Sequence, residues 1–502
     1  MNSTERDALY KDARCRIGYQ CMVDSFAIGS GSISNKASLY QTDVYGKQPQ
    51  QLNWSDECDD YCYGFRFYGG DLNGVSNAVQ DYLAGLGVNL LYLTPIFKAH
   101  SNHKYDTLDY KTIDPQFGAL QDFQLLADKC HELNIKLILD GVFNHTSCNH
   151  EWFIKAKQGI APFTGYYKKN EADYYLYWAG IDTLPLLDHT HPDVKNAFYH
   201  GKDSIVAHWL KQGADGWRLD VAEGLGKEVI RDIKAAMRKQ FNDKLLYGEI
   251  IETWGKDWLG DDKLDGLMNY VFLGTTANFL TGKISAETYL GELDKMYREY
   301  PKVQLYNSWN IISTHDTNRM LYEVDGNENL FKMAVTLQFT YPGMPMIYYG
   351  DELGLLPGQR DVSNRRGMDW QRVDLLKLKA HEPWKHIQAM DWNKVNRYSS
   401  FHFFYKHLLW LRKQYLVFTN GEFIPLFANK SAIAFMRKLD DKLALVLINK
   451  GEAQQLTIPI PAEIARQKLV LQGVHGPLPH LHLSQDTVTI GAFSQNTYIF
   501  VN

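Results

Sequence analysis

Gly213-Ala214-Asp215-Gly216-Trp217-Arg218-Leu219-Asp220 decides the reading of this chain, because a run suited to a buried strand carries an arginine and ends on an acid. A charge inside a buried strand is costly unless it is paired or placed at an open rim. Similar runs recur along the chain. Val88-Asn89-Leu90-Leu91-Tyr92-Leu93 lies between Gly87 and Pro95, and Ile135-Lys136-Leu137-Ile138-Leu139-Asp140 stops at Gly141. Leu245-Leu246-Tyr247-Gly248-Glu249 follows a helical stretch around Val229 to Phe241, and Met344-Pro345-Met346-Ile347-Tyr348-Tyr349 comes late. Short apolar runs alternating with helical patterns over roughly 400 residues predict an α/β fold with a parallel sheet and helical crossovers. The length fits a (β/α)₈ TIM barrel carrying insertions.

Asp140, Asp220 and Glu249 each close an apolar run, and His315-Asp316 closes Trp309-Asn310-Ile311-Ile312-Ser313-Thr314. In such a barrel the C-terminal strand ends converge on one face, where active sites lie. Acids distant in sequence are therefore expected in one pocket. Read singly, each is explained as a helix cap or a loop carboxylate; together they fit that account poorly.

Two regions break the rhythm. Residues 29–66 are polar and read as a long loop, and residues 147–188, rich in Tyr, Trp and Phe, read as an excursion after the third strand. From about residue 425, segments such as Leu443-Ala444-Leu445-Val446-Leu447-Ile448 and Thr487-Val488-Thr489-Ile490 predict a small antiparallel β-sandwich. The expected division is a barrel over 1–424, including the excursion, and a C-terminal β domain over 425–502.

The 502 residues are 45% hydrophobic and 22% charged, with a formal net charge of −5, which lacks the basic footprint of a nucleic-acid binder. No run of apolar residues is long enough to span a membrane. The polar, acid-bearing start Met1-Asn2-Ser3-Thr4-Glu5-Arg6-Asp7 lacks the apolar stretch of a secretory signal, so a cytoplasmic location is expected. Aromatics reach 13%, with 31 Tyr and 12 Trp, divided between core filling and a groove suited to sugar rings. Cys58 and Cys62 flank Asp59-Asp60-Tyr61, a spacing open to a metal or a disulfide; with no second such pair, free thiols are expected.

Several segments, in order, resemble the signature segments of the α-amylase family (glycoside hydrolase family 13). They are Asp140-Gly141-Val142-Phe143-Asn144-His145, Gly216-Trp217-Arg218-Leu219-Asp220-Val221-Ala222, Gly248-Glu249 and Thr314-His315-Asp316. Ser101-Asn102-His103-Lys104-Tyr105-Asp106-Thr107, Leu184-Pro185-Leu186-Leu187-Asp188 and Gly343-Met344-Pro345-Met346-Ile347-Tyr348-Tyr349-Gly350 extend the match. The resemblance implies a retaining glycoside hydrolase acting on α-linked glucose by double displacement. Asp220 resembles the nucleophile, Glu249 the general acid and base, and Asp316 the third carboxylate. A retaining pair needs its carboxyls roughly 5–5.5 Å apart. Arg218, two residues before Asp220 on the same strand face, is suited to keep the nucleophile charged. His103, His145 and His315 are expected at the reacting sugar, Tyr105 as its aromatic platform, and Asp106 as a structural partner of Arg218.

Ser101–Thr107, Ile113-Asp114-Pro115-Gln116-Phe117-Gly118 and Leu264-Asp265-Gly266-Leu267-Met268-Asn269-Tyr270 look most like the neopullulanase, cyclomaltodextrinase and maltogenic amylase branch. Asp361 and Arg365 match that branch's pair for glucose on the non-reducing side; as a bare i,i+4 spacing they are equally a surface ion pair. The barrel begins almost at once, without the branch's N-terminal domain, so oligomeric state is left open. Glu223-Gly224 follows the nucleophile segment where typical α-amylases carry Lys-His, and Ile251 stands where the branch often has Trp, with Trp254 as a substitute platform. No cofactor is required for the chemistry. A structural calcium is implied by Gly69-Gly70-Asp71, yet the loop Ala27-Ile28-Gly29-Ser30-Gly31-Ser32 offers no carboxylate, and Ca²⁺ needs six to eight oxygen ligands. The site is expected to bind no calcium. The expected partner is an α-glucan: maltooligosaccharide, cyclodextrin or starch, with α-1,4 and possible α-1,6 cleavage. Transfer to another sugar is the first alternative and a catalytically silent sugar-binding barrel the second.

Overall fold

The structure is a computed structural model that describes residues 15–29, 36, 39, 42, 44–56, 64–251, 254–356, 364–375, 397–465, 472–476, 481–484 and 486–502. Eight parallel strands close into a barrel: β1 (Gly18–Cys21), β2 (Leu90–Leu93), β3 (Lys136–Gly141), β4 (Gly216–Leu219), β5 (Leu245–Ile250), β6 (Gly266–Asn269), β7 (Trp309–Asn310) and β8 (Met344–Tyr348). Each pairs with its sequence neighbour, and β8 returns to β1 with Gly18 opposite Met346 and Tyr19 opposite Ile347. Both faces of these strands are covered, which is why they are continuous apolar runs rather than alternating ones. Inward-facing Tyr92, Ile138, Tyr247, Met268, Trp309 and Met346 fill the barrel.

Amphipathic helices wrap the outside, several started by side chains that satisfy their first free N–H groups. Asp71 accepts from Gly74 ahead of Leu72–Ala78, Ser204 from Ala207 ahead of Ile205–Lys211, and Ser285 from Thr288 ahead of Ala286–Glu299. Lys227–Gln240 turns Ile230, Ile233 and Met237 to the barrel, with Lys234 also buried and paired to Asp265. Between β5 and β6 the crossover is short, with a 3₁₀ turn at Gly255–Trp258.

The excursion at 147–188 leaves after β3, as expected, and packs on itself through Phe153, Tyr167 and Tyr175. The C-terminal part forms two antiparallel sheets. One holds β9 (Glu422–Ala428), β10 (Ala432–Leu439), β11 (Lys442–Asn449), β13 (Gln472–His475) and β16 (Asn496–Val501); the other holds β12 (Gln454–Pro459), β14 (Leu481–Leu483) and β15 (Thr487–Ala492). Between them lies an apolar layer that includes Met436, Leu445, Ile458 and Ile490. Arg437 of β10 is fully buried and donates to the carbonyls of Thr340, Phe418 and Gly421, tying the sandwich to the barrel's last helices. Among the described residues no helix is long and apolar enough to cross a membrane. Cys15, Cys21, Cys130 and Cys148 are free thiols; Cys58 and Cys62 lie outside the described residues.

Candidate active site

The register of the barrel builds the site. Pairing of β3 with β4 sets Asp140 opposite Arg218, and pairing of β4 with β5 sets Arg218 opposite Tyr247, two residues before Glu249. Asp220 stands one residue past β4, Glu249 one before the end of β5, and Asp316 in the turn beyond β7. All three therefore gather at the C-terminal rim, as the sequence predicted.

Arg218 organises them. Its guanidinium is fully buried, and Nη1 donates to Asp140 Oδ1 at 2.9 Å, Asp140 Oδ2 at 3.0 Å and Asp220 Oδ1 at 3.0 Å. Nη2 lies 3.0 Å from Glu249 Oε2. Asp220 and Glu249 thus flank the same guanidinium, and each is only 5% exposed. Burial first, and the Glu249 charge second, push Asp220 well above the usual carboxylate range, while Arg218 pulls it down.

The expected partner of Arg218, Asp106, is not its partner. Asp106 accepts from the hydroxyl and the backbone N–H of Ser101, five residues earlier. The carboxylate that grips the arginine is Asp140, because strand pairing brings it directly across the sheet.

A second shell of donors was not foreseen. Tyr92 donates to Asp140 Oδ2 at 2.6 Å and Tyr105 to the same oxygen at 3.0 Å. The backbone N–H of Val221 donates to Glu249 Oε2 at 2.9 Å. Val221 adopts φ 45° and ψ 49°, a left-handed conformation that β-branched residues rarely take. That strain aims the amide at the neighbouring carboxylate. Tyr270 lies 3.4 Å from Glu249 Oε1, and Glu223 accepts the N–H of Ile251 at 3.0 Å, pinning the end of β5.

Asp316 is held by His315 Nε2 at 3.0 Å and Arg365 Nη2 at 2.9 Å. Burial raises its affinity for a proton, but His315, then Arg365 and Arg218, outweigh it and hold the carboxyl below the usual range. Arg365 also donates to the His315 carbonyl at 2.8 Å. Asp361, its proposed partner, lies outside the described residues.

Tyr105 and His315 stand with parallel rings at 5.5 Å, and Gln20 reaches the other His315 nitrogen at 2.7 Å. His103 Nδ1 accepts from the Tyr105 amide at 3.1 Å, and burial pushes the ring down to about 3. His145 sits with Nε2 3.1 Å from the Tyr105 carbonyl, and burial pushes it down to about 4, so both rings are neutral near pH 7. With the Nε2 proton on that carbonyl, His145 Nδ1 is left as a buried acceptor without a partner among the described residues. Trp178 covers the outer face of His145, with ring centroids 5.8 Å apart. It is set by a tight turn in which Ala179 takes φ 47°. Trp254 instead donates its indole N–H to Glu299 at 2.9 Å and packs on Tyr300.

A closed barrel with buried carboxylates meeting over one arginine at its C-terminal rim defines a glycosidase-type active site. The chain belongs to the α-amylase family: the model of the alpha-amylase catalytic domain matches residues 20–179 and 164–421. It is a glycoside hydrolase by that membership. It is 35% identical to neopullulanase 2 of Thermoactinomyces vulgaris over 441 residues, covering 83% of this chain and 69% of that one. It is 34% identical to a cyclomaltodextrinase of a Bacillus species over 413 residues, covering 77% and 67%. The fold superposes on cyclic α-maltosyl-(1→6)-maltose hydrolase of Arthrobacter globiformis in complex with maltose. That match has a TM-score of 0.76 and 25% identity, and covers 98% of this chain and all of that one.

Proposed function

We propose that this protein hydrolyses α-1,4 glucosidic bonds, with α-1,6 bonds as a second specificity, in maltooligosaccharides, cyclodextrins or starch. The observation that carries the reading is the single guanidinium of Arg218 within 3.0 Å of both Asp220 and Glu249. Asp220 attacks the anomeric carbon in its carboxylate form, which the hydrogen bond from Arg218 favours. Glu249 gives its proton to the departing glycosidic oxygen, and a glucosyl ester on Asp220 results. The same Glu249, now a carboxylate, takes a proton from water, whose oxygen attacks the anomeric carbon and frees Asp220.

Asp316, kept ionised by His315 and Arg365, grips sugar hydroxyls and opposes the positive charge that develops on the ring. Tyr105 supplies the apolar face beneath that ring, and His103, His145 and His315 are its polar neighbours. Support for a glucan ligand comes from the maltose bound by the Arthrobacter hydrolase, whose fold is shared. The names of the relatives in sequence are those of hydrolases, which favours water over a sugar as acceptor.

Asp220→Asn tests the assignment. Reducing-sugar release from maltotriose should vanish while the far-UV spectrum and maltose binding persist. Activity equal to the parent would remove Asp220 as nucleophile. Product profiles on β-cyclodextrin, pullulan and soluble starch then rank the substrates.

A further inference from the structure

The two pieces of sequence that imply a family calcium site, the loop after β1 and Gly69-Gly70-Asp71, do come together. Gly29 N–H donates to Asp71 Oδ1 at 2.9 Å, and Asp71 N–H donates to the Ala27 carbonyl at 2.9 Å. Asp71 Oδ1 also accepts from Gly74 N–H at 2.7 Å, which caps the helix Leu72–Ala78. The remaining oxygen, Oδ2, is taken by the ammonium of Lys36, which comes from the same loop. That ammonium donates a second bond, at 2.8 Å, to the carbonyl of Gly69. Both side chains are largely buried, at 13% and 8% exposure.

This donor set does not fit calcium. A Ca²⁺ ion takes six to eight oxygens with their lone pairs turned inward. Here N–H groups are aimed at the one carboxylate the motif supplies. Asp24, a further acid nearby among the described residues, likewise spends its oxygens on the N–H groups of Tyr68 at 2.9 Å and Gly69 at 3.1 Å. Among the described residues no three His, Cys, Asp or Glu side chains group as a metal site.

The survival of Gly-Gly-Asp has its own explanation in packing. Gly69 sits at φ 89°, in the left-handed region, and a Cβ on Gly70 would lie 2.0 Å from the Val23 carbonyl oxygen. Asp71 is kept by its helix cap. No ion is needed to account for any of the three.

We infer that the Lys36 ammonium is the built-in cation of this site, joining the loop after β1 to the Gly69–Asp71 turn in place of a calcium ion. A tethered cation acts at a fixed local concentration, so it holds the loop whether or not the medium contains divalent ions. For calcium to enter, Lys36 would have to leave and the helix cap of Asp71 would have to open.

The test is thermal unfolding of the full chain in excess EDTA and in millimolar calcium chloride, for the parent, Lys36→Met and Asp71→Asn. The parent should unfold at one temperature in both media. Lys36→Met, which keeps the length and loses the charge, should unfold about 2–4 °C lower in both. A calcium-dependent rise in the parent that Asp71→Asn abolishes would overturn the inference. So would a Lys36→Met midpoint equal to that of the parent in EDTA.

Discussion

Replacing Arg218 by methionine probes the centre of the site, because one buried cation faces Asp140, Asp220 and Glu249 at 2.9–3.0 Å. Methionine fills similar space and removes the charge. Breaking a buried ion pair by deleting one partner costs about 3–5 kcal/mol. The stranded carboxyls can escape part of that cost by binding protons, so the loss depends on pH. In the variant their folded affinities for a proton are raised above the unfolded ones. The folded state then holds protons that the unfolded chain has released, and stability is lost as pH rises through the window between the two. Each such proton gives a slope of about 1.4 kcal/mol per pH unit. The variant should therefore be nearest to the parent around pH 5 and furthest, by about 3–5 kcal/mol, around pH 8. Urea unfolding of both proteins across that range measures the gap. A gap that stays flat with pH and below about 1 kcal/mol would refute the view of Arg218 as the shared counter-charge of the three acids.

Arg365→Met removes one of the three groups that hold Asp316 down, so its proton affinity should rise and the acid limb of kcat/KM should move to higher pH; an unmoved limb would separate Asp316 from the titration that controls rate. Arg437→Met takes a donor from the carbonyls of Thr340, Phe418 and Gly421; Phe418 keeps Arg412 and Gly421 keeps Tyr306, so the main loss is at Thr340, about 1–3 kcal/mol for a buried carbonyl without its donor. It should lower the free energy of unfolding by about 1–3 kcal/mol, read as a lower urea midpoint, while leaving kcat at low temperature unchanged, and a midpoint equal to the parent's would show that the sandwich needs no such tie.

The acids were legible because each ends an apolar run, where a charge has no reason to be unless a rim exposes it. Asp220 and Glu249 are found in that way, and β2, β3, β4, β5 and β8 emerge close to where their runs lie. The sixth and seventh strands were harder. Gly266–Asn269 is only four residues, and β7 is Trp309–Asn310 alone, since Ser313 to Asp316 turn away to carry the third acid. The partner of Arg218 was misread for a different reason. Asp140 and Arg218 are 78 positions apart, and only sheet register reveals that they face each other. Tyr92 and Tyr270 look like core aromatics in a linear reading. Val221 acts through its amide, so no side chain could announce it. Lys36 is one of two lysines in a polar loop, and its meaning lies entirely in what it touches.

Closure of the barrel also constrains how the chain is made. β1 finds one neighbour in β2, but its other edge waits for β8, so that Gly18 meets Met346. At roughly 5–20 residues per second, a ribosome needs about 16–65 s to cover the roughly 320 residues between these two strands. Until then a strand with an unpaired edge stands open on the nascent protein, ready to pair with the wrong neighbour. Production yields should therefore respond to chaperone supply and growth temperature more than to any change at the catalytic rim.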